Sequence, residues 1–130
     1  LVVGDLRLES ASVSAAITVA ALDDAAIAAS NRLLLVLATD ARNSGEAYDA
    51  DNPAVLRAIG TLPVLLRTGR FQLAIRRAAA APTLQAWTLA LDGARLEPVP
   101  VENQGDWLRL NLDTARLSKG PTPFVEFAAR

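Results

Sequence analysis

The chain contains no cysteine, no histidine and no methionine, and Lys119 is its one lysine. Without cysteine the fold uses no disulfide, and the redox compartment leaves no mark on the sequence. Without histidine the commonest general base and the commonest transition-metal ligand are both missing. The two absences together exclude structural zinc, Ser-His-Asp triads and Cys-His dyads. Because methionine is absent, Leu1 is not a natural start, and the chain reads as a single domain, residues 1–130, excised or processed from a larger protein. Long apolar runs are missing too. The longest spans Leu33 to Ala38, against the roughly 20 residues that a membrane-spanning helix needs. The formal net charge is -1, too balanced for an electrostatic nucleic-acid binder. Neither a nucleic acid nor a membrane is therefore expected as a partner. No Gly-rich phosphate loop and no Gly-x-Ser-x-Gly elbow occurs.

What is present is apolar patterning: 52% of the 130 residues are hydrophobic, enough for one packed core. The dominant signal is an alternation of period two between turn residues. Val13, Ala15, Ile17, Val19 and Ala21 alternate with Ser12, Ser14, Ala16, Thr18 and Ala20. Phe71, Leu73 and Ile75 alternate with Arg70, Gln72, Ala74 and Arg76. Leu108, Leu110 and Leu112 alternate with Trp107, Arg109 and Asn111. Each pattern describes a strand with one face on a core. Leu33 to Thr39 is apolar on both sides, as in a central strand or one whose outer face is covered. Asp92-Gly93 and Gln104-Gly105 read as hairpin tips, and Thr68-Gly69 as a tight link between Val64–Arg67 and Arg70–Arg76. Pro98 and Pro100 demand an edge strand or an interruption. Asp24 to Ser30 is Ala-rich but reads as turn, whereas Asn52-Pro53 with Gly60 predicts a short helical stretch over Pro53 to Ile59. The expected fold is a two-sheet antiparallel β-sandwich of about eight or nine strands, with at most one or two short helical turns.

The second half resembles the non-catalytic, carboxy-terminal β-sandwich that follows the catalytic barrel in some bacterial glycoside hydrolases. The resemblance runs through Trp87-Thr88-Leu89-Ala90-Leu91-Asp92-Gly93, Val99-Pro100-Val101, Leu108 to Asp113 and Thr122 to Phe127. In the first half it extends over Ile17 to Asp23 and Arg32 to Thr39, although Asp23-Asp24 departs from the Asp-Gly tip of the pattern. The resemblance implies an accessory domain of an extracellular or secreted enzyme. Such a domain is either a carbohydrate-binding module for a β-glucan-type polysaccharide or a structural domain packed on an attached catalytic domain.

Four residues are candidates for sugar contact. Trp107 shares an outward face with Arg109 and Asn111, where an indole could cover the apolar face of a pyranose while its neighbours bond hydroxyls. The alternative is a Trp107 buried against a loop. Tyr48, amid Glu46, Asp49 and Asp51, could stack on sugar or cap the sandwich edge. Trp87 shares its row with Leu89 and Leu91 and reads as core. Asp49, Asp51 and Asn52 place oxygens at alternate positions, as a structural Ca²⁺ would require, yet Gly60 stands where an EF-hand has its bidentate Glu. They equally describe a solvated acidic loop. No other cofactor is expected. A glycosidase needs two carboxylates roughly 5 to 10 Å apart in a cleft, whereas the acidic residues here scatter through turns, so no catalysis is expected.

Overall fold

The computed structural model describes residues 1–129. The chain is all-β, with fourteen strands among the described residues, more than the alternation alone predicts. They are β1 (Val2–Val3), β2 (Leu6–Ala11), β3 (Ala16–Ala21), β4 (Arg32–Ala38), β5 (Ala41–Ser44), β6 (Ala47–Tyr48), β7 (Leu56–Ala58), β8 (Thr61–Leu66), β9 (Arg70–Arg76), β10 (Leu84–Leu89), β11 (Arg95–Val99), β12 (Val101–Gln104), β13 (Trp107–Asp113) and β14 (Phe124–Ala129). One 3-10 turn, Thr114–Arg116, follows β13, and Asp113 caps it through Ala115 N. No helix among the described residues is long and apolar enough to cross a membrane.

Two five-stranded antiparallel sheets carry the fold. Sheet A has the order β1-β2-β9-β13-β12 and sheet B the order β11-β10-β14-β4-β3. The alternations decide which face meets the other sheet. Phe71, Leu73, Ile75, Leu108, Leu110 and Leu112 project from sheet A. Leu33, Leu35, Leu37, Val125 and Phe127 meet them from sheet B. Each fully buried side chain of this size contributes about 1.5–3 kcal/mol, so this interior dominates the stability. The prolines act as their missing N–H dictates. Pro98 lies on β11, the edge of sheet B, and at Pro100 the chain leaves that sheet and enters β12 at the edge of sheet A.

Several expectations need correction. Strands β8 and β9 are tightly linked across Thr68-Gly69, as expected, but they do not pair with each other. β8 pairs with β5, and β9 pairs with β2 and β13. Residues 53 to 59 are not helical. Asn52 does accept from Ala54 N, at 3.2 Å, but the turn it makes leads into β7. Residues 24 to 30 form turns, as expected. They are tied down by the buried Arg77, which donates to the carbonyls of Ile27 (2.8 Å) and Ser30 (2.7 Å).

Residues 40–67 form a separate arm. β5 pairs with β8 and β6 with β7, and neither pair joins the main sheets. Its base is clasped where Arg67 N donates to Asp40 O and Thr39 Oγ1 donates to Arg67 O.

Candidate functional site

The sequence places Trp107, Arg109 and Asn111 on one outer face, and the structure agrees: all three lie on the solvent side of sheet A. Trp107 is only partly exposed, however, and Arg7 lies over its ring with the guanidinium carbon 4.0 Å from the centroid. Arg76 flanks the same ring at 5.7 Å. Below them Ala74 faces outward yet is 0% exposed. Its cross-strand partners are Arg109 and Arg7, with Trp107 one pair further along. The indole and these guanidinium stems therefore form a small packed layer over Ala74, stabilised by cation–π attraction. Arg109 is also committed, donating to Glu9 at 2.7 Å. Asn111 is exposed opposite Gln72, which accepts from Ser10 Oγ.

Tyr48 is not brought to this face. It sits on β6 in the arm, whose base adjoins the Arg70 end of β9, whereas Trp107 pairs with Arg76 at the other end. Six residues of extended strand separate these ends, about 20 Å at the usual rise. Tyr48 donates its hydroxyl proton to Glu46 at 2.6 Å, and Arg42 lies 5.3 Å from its ring centroid. That hydrogen bond raises the Tyr48 pKa and holds Glu46 below the ordinary carboxylate value.

Of the loop residues Asp49, Asp51 and Asn52, Asp49 and Asn52 spend side-chain oxygens on the loop's own donors. Asp49 Oδ1 accepts the backbone N–H groups of Asp51 and Asn52, both at 2.9 Å, as an Asx turn does. Its Oδ2 is taken by Nε and Nη2 of Arg57. The Arg57 contact, then those two N–H donors, lowers the Asp49 pKa. Among the described residues no group of three His, Cys, Asp or Glu side chains is assembled to hold a metal ion.

Trp87 is a correction. The inward row of β10 is Leu84, Ala86 and Thr88, so Trp87 falls on the outer face of sheet B. Arg95 stacks on it, with the guanidinium carbon 3.9 Å from the ring centroid. Beside it lies Glu126, whose side chain is 2% exposed. Glu126 accepts from Arg32 Nε and Arg95 Nε, each at 2.6 Å. Burial pushes its pKa up, but the two arginines together outweigh that and hold it below the ordinary carboxylate value. The ionic part of this cluster is not legible in the sequence, because Arg32, Arg95 and Glu126 come from three distant strands.

Part of that outer face is apolar. Leu34, Val36 and Phe124 project outward from β4 and β14 and stay partly exposed. β4 then leads directly into the arm, where exposed aliphatic side chains are most numerous: Ile59 is 71% exposed and Leu62 82%, with Leu56, Val64 and Leu65 open as well. A ribbon of paired strands with no second layer cannot bury these groups itself. Apolar surface is thus open on sheet B beside its Arg–Glu cluster and on the arm. The chain matches no protein-family model, no curated protein and no solved structure.

Proposed function

We propose that this chain is a non-catalytic docking domain, packing through its arm and the adjoining face of sheet B against an attached catalytic domain. The observation that carries the reading is the arm. Its exposed aliphatic side chains have no partner layer within the arm, and a concentration of exposed apolar side chains marks an interaction site. The resemblance to carboxy-terminal sandwiches of bacterial glycoside hydrolases supplies the nature of the partner. Direct polysaccharide binding on Trp107 has less support, since a pyranose would first have to displace Arg7 from the ring.

The test compares backbone hydrogen exchange over residues 40–67 in the isolated domain and in the longer polypeptide that carries it. Protection confined to the longer form, and lost in Leu62→Lys with Leu65→Lys, is the expected result. Equal exchange in both forms defeats the reading. So does retardation of the isolated domain in a β-glucan, xylan or mannan gel that Trp107→Ala abolishes.

A further inference from the structure

The two long sides of the sandwich differ. On one, β11 and β12 are continuous chain across Pro100. On the other, residues 12–15 carry the chain from β2 in sheet A to β3 at the edge of sheet B, and beyond this link the β1–β2 edge and the β3 edge share no strand pairing. The core is unfinished there. Ile17 and Val19 point inward from β3 yet remain partly exposed, while Leu33, Leu35 and Leu37 on the neighbouring β4 are 0–1% exposed. An open cleft of about 470 Å³ lies between the edges, lined by Leu6, Leu8, Ala15, Ile17, Val19 and Ile27 among others. Asp5 contributes its one ionisable side chain.

The second observation concerns the backbone of β3. It pairs only with β4, so alternate N–H and C=O groups along its other edge have no strand partner. Natural edge strands blunt such a row with a charge, a proline, a bulge or a cover. Ala16–Ala21 contains no charge and no proline, and its register with β4 runs without a shift. Its outward side chains Ala16, Thr18 and Ala20 are small and block nothing.

Open ladder groups beside an apolar cleft specify the shape of the missing piece. We infer that the β3 edge and its cleft accept one further β-strand. This would be an extended, uncharged segment of about six residues from another polypeptide, with aliphatic side chains at alternate positions. Main-chain bonds to β3 would hold it, and its inward side chains would fill the space between Leu8 and Val19, as in β-strand addition. A second copy of this chain suits the site less well. It would bring a β3 with its own half-filled cleft and leave both interiors short of apolar partners. The inference does not rest on the docking role of the arm.

A capped synthetic peptide with a six-residue alternating Val-Thr core and lysines at both ends is a suitable probe. With millimolar peptide, the slowest-protected set should come to include the β3 amides that face away from β4, their exchange slowing at least tenfold. The Ile17 and Val19 methyl resonances should shift with them. Val19→Lys should abolish the effect, and Ile59→Lys in the arm should leave it intact. Should Val19→Lys prove unfolded, the same peptide with its valines replaced by lysine serves instead, and it should protect nothing. Unchanged β3 exchange in the folded wild-type chain overturns the inference. So does concentration-dependent self-association that protects β3 without peptide, which would make a second copy the occupant.

Discussion

Arg95 lies flat over the indole of Trp87 while its Nε donates to Glu126 at 2.6 Å, so one guanidinium joins an aromatic ring to a buried carboxylate across sheet B. Arg32 reaches the other oxygen of Glu126 from the far side. The three side chains clamp β4, β14 and β11 together on a face that carries no second layer.

Replacing Glu126 by Gln should therefore destabilise the fold by about 2 kcal/mol, the range for hydrogen bonds to charged groups. One arginine would keep only a neutral amide oxygen, and the other would face an NH2 donor in a buried site. Urea denaturation at neutral pH measures the loss. An unchanged midpoint would mean that the cluster only decorates the surface.

The same carboxylate gives the fold a pH dependence of known sign. Its folded pKa is depressed below the unfolded value, about 4.3 for Glu. Its stabilisation is thus fully present above that value and disappears as pH falls through the folded pKa. Denaturation midpoints between pH 7 and pH 3 should fall more steeply for the wild type than for Glu126→Gln, and the two curves should converge at the acid end.

Arg77 is buried and spends its guanidinium on backbone carbonyls, those of Ile27 and Ser30. Arg77→Met keeps much of the apolar stem but strands these acceptors. The expected cost is about 3 kcal/mol, from buried carbonyls left without donors. Thermal unfolding should register it, and exchange should quicken first in residues 22–31.

Gly60 turns the arm between β7 and β8 with φ +75°, and a Cβ there would lie 2.5 Å from Ser44 O and 2.7 Å from Glu46 N. Backbone atoms cannot yield as a flexible side chain does. Gly60→Ala should break the β5–β8 pairing while the sandwich keeps its stability to within about 0.5 kcal/mol, since locally unfolding units lose structure independently of the core. Limited proteolysis should cut the variant within residues 40–67. A large drop in the global midpoint would instead show the arm to be part of the core unit.

The strands that build the core were legible because their alternation is strict. Leu108, Leu110 and Leu112 leave one possible parity for β13, and with it the outward placement of Trp107, Arg109 and Asn111. At β10 the same logic failed. The larger side chains, Trp87 and Leu89, share one row, but the smaller row of Leu84, Ala86 and Thr88 faces the core, where Phe127 on β14 pairs with Ala86. The bulk of a neighbouring strand decided the parity, and no local pattern records it. Asn52-Pro53 failed for a related reason. Asn52 caps a turn in either structure, and only the pairing of β6 with β7 selects an extended continuation. Glu126 lay beyond reach because its arginine partners are 94 and 31 residues away.

The chain passes from β11 to β12 at Pro100 and from β2 to β3 through residues 12–15, so the two sheets are stitched along both flanks. Covers bound on two sides cannot swing open like those of a book. Any motion that parts Leu8 from Val19 has to strain the short strap between β2 and β3, whose Val13 and Ala15 pack against the core.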